Sequence, residues 1–258
     1  MDKLLVILGP TASGKTKFGV QLASQYSGEI VSADSRQIYK GMDIGTGKDL
    51  DEYKYNNKII PYHLIDILDP TTDYSVFQFK DDFFKAYNQI IKKNNLPILC
   101  GGTGFYIESV LLDYDMPHVG PNQDLREKLE KKDINELTKL LIDLDNSIYD
   151  EEFHITKRRI IRSIEIIKSD YKKTHHTITN RNIDNPLIFG LQVDRPKVLE
   201  KIKVRLIERL ENGMINEVES LIENGMTLDR LKYFGLEYKF IGQHLFNELQ
   251  YDEMVEKL

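Results

Sequence analysis

Leu4-Leu5-Val6-Ile7-Leu8-Gly9-Pro10-Thr11-Ala12-Ser13-Gly14-Lys15-Thr16 is an apolar run that breaks into a glycine loop and ends on a lysine–threonine pair. The run has the length and composition of a buried strand. Gly9 to Thr16 fit G-x-x-x-x-G-K-[ST] completely, and a helix is predicted from about Lys15. Glycines let successive backbone N–H groups turn into one concavity, and the helix start adds partial positive charge. Lys15 supplies a full charge for a terminal phosphate, and the Thr16 hydroxyl is of the type that holds Mg²⁺. The bland alternative is a glycine turn between a core strand and a helix. A complete pattern directly after an apolar run argues instead for an oligophosphate site, without saying which oligophosphate.

Outward from this loop, strands and helices alternate. Glu29–Ala33 reads as a strand that delivers Asp34-Ser35-Arg36-Gln37-Ile38-Tyr39 at its C-terminal end. Residues 40–58 read as loop, and Tyr62–Ile67 as a short strand stopped by Asp69-Pro70. An amphipathic helix runs to about Lys93. Leu96–Cys100 is a further buried strand, ending in Gly101-Gly102-Thr103-Gly104. This alternation predicts a P-loop-type parallel α/β sheet flanked by helices. Three strand ends, at Gly9–Thr16, Asp34–Tyr39 and Gly101–Tyr106, then meet at one edge, where open sheets bind ligands. From Pro117 the pattern is helical only, with Asn122 or Asp124 and Asp133 as caps and a third helix over about 155–168. Residues 174–185 read as loop, and a strand returns at Pro186–Val193. The expected division is an α/β core at 1–115 and 185–258 with an all-helical insertion at 116–184. In the helix after Asp194, Leu199, Ile202, Leu206 and Leu210 form the expected buried stripe.

Composition narrows the classes. The chain has 258 residues, 41% hydrophobic and 29% charged, with a net charge of −6. That is enough apolar material for a full core. A strongly basic balance would point to nucleic acid and this one does not, although a local basic patch remains compatible with it. The single cysteine, Cys100, excludes an internal disulfide and reads as a buried structural thiol. No signal-peptide pattern and no membrane-length apolar run is present, so a cytoplasmic protein without membrane association is expected. The histidines lack zinc-site spacing.

Several polar residues carry possible chemistry. Asp34 faces the loop as a possible base; its alternatives are a helix cap or an outer-sphere metal ligand. Gln37 and Tyr39 are either polar edges for a planar group or turn residues. Thr103 is either a ligand to a reacting amine or phosphate, or a helix cap. Lys157-Arg158-Arg159 with Arg162 is the densest basic cluster, extended by Lys168, Lys172 and Lys173. It reads as a polyanion track against the alternative of a solvated face. Arg205 and Arg209 share a helical face; one could reach over the phosphate loop, or both could pair with Glu208 or Glu211.

Read together, Gly9–Thr16, Asp34-Ser35-x-Gln37-x-Tyr39, Gly41-Met42-Asp43-Ile44-Gly45-Thr46, Gly101-Gly102-Thr103-Gly104-x-Tyr106 and Arg158–Arg162 before Ser163-Ile164-Glu165 resemble the tRNA dimethylallyltransferases, also called tRNA isopentenyltransferases. The resemblance runs over nearly the whole chain in order. It implies transfer of a dimethylallyl group from dimethylallyl diphosphate to N6 of adenosine-37, in the anticodon loop of tRNA. By match, Gly9, Pro10, Thr11, Ala12, Ser13, Gly14, Lys15 and Thr16 cradle the diphosphate, with Mg²⁺ on Thr16. Asp34 matches the general base, Thr103 the residue contacting the amine, and Arg205 the diphosphate-binding arginine; with Lys15 these are the implied catalytic set. Asp34, Ser35, Arg36, Gln37, Thr103, Arg126, Arg158, Arg159, Ile160, Ile161 and Arg162 match positions that touch tRNA. A monomer is expected. Two departures stand out: Thr46-Gly47-Lys48-Asp49 replaces the usual Thr-Ala-Lys-Pro, and the family continues past the position of Leu258 into a basic, aromatic segment. Alternatives are a small-molecule P-loop kinase, a prenyltransferase acting on AMP, and a non-catalytic tRNA-binding protein.

Overall fold

β1 (Leu5–Leu8) leads through the glycine loop into α1 (Lys15–Tyr26), and β2 (Gly28–Ala33) follows at once. The structure, a computed structural model, describes residues 3–112, 119–169, 183 and 185–258. The chain divides into two compact units, Met1–Asp113 with Asn182–Leu258, and Tyr114–Arg181. In the first, residues 40–58 hold more structure than a loop. A single 3₁₀ turn at Leu50–Tyr53 precedes a hairpin of β3 (Lys54–Tyr55) and β4 (Lys58–Ile59), turned by Asn56 and Asn57 at positive φ. The expected strand at 62–67 shrinks to β5 (Tyr62–His63), because Leu64 and Asp66 take left-handed backbone that breaks a ladder. Next come α2 (Val76–Lys92), started by a Ser75–Gln78 capping box, then β6 (Leu96–Gly101) and α3 (Gly104–Leu111).

The second unit is helical: α4 (Gln123–Glu130), α5 (Ile134–Asp145) and α6 (Lys157–Lys168). Asn122, Asp133 and Thr156 cap their N-termini through side-chain oxygens. Leu129, Leu137, Leu141, Ile160, Ile161 and Ile164 form its core. The sequence-based loop at 174–185 and the lysines at 172 and 173 fall almost wholly outside the described residues.

The first unit resumes with β7 (Leu187–Gly190) and α7 (Arg195–Glu211). Then follow α8 (Met214–Glu223), α9 (Leu228–Tyr233), α10 (Leu236–Leu245) and α11 (Tyr251–Lys257). Apart from the β3–β4 hairpin, the strands form one parallel sheet in the order β5-β2-β6-β1-β7. Alternate residues feed opposite faces. Leu5, Ile7, Ile30 and Ile98 pack on Val20 and Ala23 of α1. Leu4, Val6, Val31 and Leu99 join the larger core with Phe79, Phe83, Ile107, Val218 and Ile241. Each such side chain stabilises the fold by about 1.5–3 kcal/mol. The expected buried stripe on α7 is corrected: Leu199 and Ile202 are 57% and 38% exposed, and only Leu206 and Leu210 pack on the core. Periodicity places residues on a helical face but does not say that the face is covered.

Candidate active site

The phosphate loop is built by backbone. Gly14 sits at φ 83°, left-handed geometry that glycine adopts without strain, and no side chain caps the start of α1. Its first N–H groups therefore face outward, as an anion site requires. Lys15 Nζ curls back to donate to the Pro10 carbonyl at 2.7 Å, and burial draws its ammonium below the usual lysine pKa. Ser13 Oγ is buried in the same loop without a hydrogen-bond partner. A buried hydroxyl left unpaired is costly, and a phosphate oxygen would satisfy it.

Asp34 stands half-buried at the tip of β2, where Oδ1 accepts the Arg36 N–H at 2.9 Å. Thr103 does not cap α3 with its side chain; Oγ1 accepts the Ser35 N–H at 3.0 Å instead. Gln37 accepts from Ser32 Oγ at 3.2 Å and donates to the Gly47 carbonyl at 3.1 Å. Tyr39 is a core residue, edge-on to Phe234. The Arg36 guanidinium lies over the Tyr233 and Phe234 rings at 5.3 and 5.9 Å. Cys100 lies at the floor, its thiol pushed up to about 12 by burial, which fits a structural thiol.

The loop at 41–49 closes the opposite side and is held from two directions. Lys48, fully buried, donates to the Tyr39 carbonyl at 2.5 Å, to Asp43 at 2.6 Å and to Asp66. From α8, the Glu217 carboxylate accepts the N–H groups of Asp43, Ile44 and Gly45 at 2.7, 2.7 and 3.1 Å, and the Tyr238 hydroxyl at 2.7 Å. Arg205 Nη2 reaches Asp49 Oδ2 at 2.7 Å, and Arg209 Nη2 lies 3.9 Å from the same oxygen. Burial and the adjacent Arg205 draw the Arg209 guanidinium below its usual pKa.

One cleft of about 300 Å³ unites these groups. Thr11, Ala12, Ser13, Gly14, Lys15, Thr16, Asp34, Arg36, Gln37 and Arg205 line it. Ser35 and Thr103 are not among the lining residues; they are joined to each other, Ser35 being next to Asp34 in the chain. The sequence reading missed Asp49, Glu52, Glu237 and Tyr238, which also line the cleft, and left Arg209 unassigned. Two carried a signal: Arg209 in its four-residue spacing from Arg205, and Asp49 in the departure at 46–49. Among the described residues, no group of three or more His, Cys, Asp or Glu side chains could hold a metal. A magnesium site at Thr16 therefore fits only the common form in which phosphate oxygens and waters supply most ligands.

The helical unit sorts the remaining candidates. Ile160 and Ile161 are 0% and 3% exposed in its core, so their side chains serve packing and offer no surface to an RNA. Arg126 grips the buried Glu165 carboxylate through Nε at 2.7 Å and Nη2 at 2.9 Å, and Arg162 joins it at 3.0 Å. Arg158 is exposed; Arg159 is exposed and lies over the Phe153 ring at 5.0 Å. The alternation of buried isoleucine and outward arginine follows from the helical period.

Comparison with known proteins gives a consistent picture. A family model described as IPP transferase matches residues 37–258, and one described as Isopentenyl transferase matches residues 2–59. The tRNA dimethylallyltransferase 1 of Syntrophus aciditrophicus (strain SB) is 44% identical over 258 residues, 100% of this chain and 85% of that relative. The tRNA dimethylallyltransferase 1 of Parabacteroides distasonis is 48% identical over 257 residues, 99% of this chain and 83% of the relative. Among solved structures, the full-length tRNA isopentenylpyrophosphate transferase from Bacillus halodurans matches with a TM-score of 0.69 at 32% identity, covering 100% of this chain and 82% of that one.

Proposed function

The chain belongs to the tRNA dimethylallyltransferase family, and on that premise we propose how its cleft performs the transfer. It is a prenyltransferase that moves a dimethylallyl group onto tRNA. The donor is dimethylallyl diphosphate, and the acceptor is N6 of adenosine-37 in the anticodon loop. The carrying observation is that one cleft holds both an uncapped helix start with Lys15 and the Asp34 carboxylate. The first suits a diphosphate; the second suits a proton acceptor beside it.

In the reaction, the N6 lone pair forms a bond to C1 of the dimethylallyl group while the C1–O bond breaks. The electron pair leaves with the diphosphate, and the N6 proton passes to Asp34. Lys15 and Arg205 stabilise the charge growing on the leaving oxygens. Thr16 is the residue that would hold Mg²⁺, and the ion would supply positive charge at the leaving diphosphate. Thr103 supports Asp34 through Ser35. Extruding a base costs less from a loop than from a duplex. The α/β unit supplies the chemistry, and exposed Arg158 and Arg159 of the helical unit supply phosphate contacts. We place the protein in the cytoplasm as a monomer; no helix among the described residues is long and apolar enough to cross a membrane.

The test is incubation of the protein with unmodified tRNA, dimethylallyl diphosphate and Mg²⁺, followed by nucleoside analysis. Dimethylallyl-adenosine at position 37 supports the reading. ATP turnover without a prenyl donor, or modification of free AMP in preference to tRNA, overturns it; neither alternative is favoured by the relatives above.

A further inference from the structure

The loop at 47–49 is shaped around one side chain, Arg209. A Cβ built on Gly47 would sit 1.9 Å from Arg209 Nη2 and 3.1 Å from Arg205 Nη2, so the guanidinium occupies the space that an alanine methyl would take. Gly47 also holds φ 63°, where side chains are strained. Two residues on, the Asp49 carboxylate bridges toward both arginines, at 2.7 Å from Arg205 and 3.9 Å from Arg209. Asp49 is fixed from behind by its neighbour Lys48, which is buried against Asp43 and Asp66. Arg205 and Arg209 lie one turn apart on α7, and all four residues line the cleft that holds the phosphate loop.

We propose that Arg209 is a second arginine of the diphosphate site, admitted by the missing side chain at Gly47 and held in place by Asp49 until the diphosphate arrives. This rests on the reading that the cleft takes the diphosphate of the donor. An arginine whose only task was to neutralise Asp49 would need no place in the cleft wall, and Arg205 already makes the shorter contact to that carboxylate. The Arg209 side chain is 18% exposed, so most of its hydration is already lost and a phosphate oxygen meets it without much further desolvation. Asp49 then has two effects. It keeps two like charges side by side in the free protein, and it competes with the incoming anion for them. Handing the pair from one carboxylate to a diphosphate exchanges a weak counter-ion for a stronger one.

The experiment is calorimetric titration of the full chain with inorganic pyrophosphate and Mg²⁺ at several salt concentrations. It is paired with a thermal midpoint for each variant and with KM and kcat for dimethylallyl diphosphate. Arg209→Met should weaken pyrophosphate binding about tenfold, the loss of one charge-assisted contact, and flatten its salt dependence. KM for the donor should rise more than kcat falls. Arg209→Lys should restore part of the affinity, because the charge returns without the fork. Asp49→Asn should tighten pyrophosphate binding by about threefold, the scale of a partly exposed ion pair. That gain should vanish when Arg209→Met is added. Unchanged pyrophosphate affinity and salt dependence in a folded Arg209→Met protein overturns the proposal. So does loosened binding in a folded Asp49→Asn protein. Wild-type protein that binds no pyrophosphate overturns the reading of the cleft itself, which separates the two failures.

Discussion

Thr103 and Ser35 are joined across the tips of β6 and β2 by a hydrogen bond of 3.0 Å from the Ser35 N–H to Thr103 Oγ1. The Thr103 N–H in turn donates to the Ala33 carbonyl at 3.1 Å. Asp34 is thus flanked on both sides by hydrogen bonds to one residue, Thr103 at the start of α3. Thr103→Val keeps the shape and removes the acceptor. It should lower kcat about tenfold with little change in tRNA affinity, because a small misplacement of a reacting group costs rate more than binding. Thr103→Ser should recover most of the loss. Steady-state kinetics with saturating tRNA checks this.

Asp34→Asn tests the base directly. Turnover should fall by about 10²–10⁴, the usual contribution of a positioned proton acceptor. Pyrophosphate and tRNA affinities, measured by titration, should stay near wild type. Full activity in this variant would remove Asp34 from the chemistry.

Arg158→Ala addresses the helical unit. Exposed and carrying a full charge, Arg158 should contribute one phosphate contact. Its loss should weaken tRNA binding and reduce the slope of log affinity against log salt by roughly 0.7–0.9. An unchanged slope would return Arg158 to a solvated face.

Much of this was legible in the residues, for identifiable reasons. The strand–loop–helix at 4–26 and the three converging strand tips follow from local chemistry: glycines, apolar runs and caps. Asp34 could be picked out by its place at a strand end facing the loop, whereas Arg205 was separated from Arg209 only by the family resemblance. Asp49 and Glu217 could not be read in this way. Their roles come from partners 156 and 172–174 residues away, and no local pattern encodes such a pairing. The exposed side of α7 was misread for a related reason, since a stripe of leucine and isoleucine looks the same whether or not another element covers it. Ile160 and Ile161 were matched by position within a segment, and burial of their side chains in the helical core is a feature that position alone does not carry.

Lys48→Met tests the loop anchor. The substitution leaves Asp43 and Asp66 facing each other without the ammonium between them. Both carboxylates keep some access to water, which reduces the penalty, so a destabilisation of about 2 kcal/mol is expected. Urea unfolding of the full chain measures it.

Acid should loosen the helical unit through Glu165. Burial pushes this carboxyl up, but the hydrogen bonds from Arg126, the Asn122 N–H and Arg162 outweigh it and leave it below the ordinary glutamate value of 4.5. A carboxyl depressed in the folded state adds stability that is fully present above the unfolded value and is lost as pH falls through the folded one. The wild-type acid transition should therefore include a Glu165 component below pH 4.5. Glu165→Gln should weaken the protein at neutral pH and flatten that part of the curve. Circular dichroism across an acid titration reads both.

The grip of Glu217 on Asp43, Ile44 and Gly45 sets an order of assembly. The phosphate loop and Asp34 precede α8 in the chain, and α8 fastens the loop beside them from more than 170 residues further on. A nascent chain released before Met214 would carry the anion cradle and the carboxylate but no clasp, and limited proteolysis should cut it between Gly41 and Lys48. The wall that faces the anion cradle is therefore fastened only once α8 has folded against it.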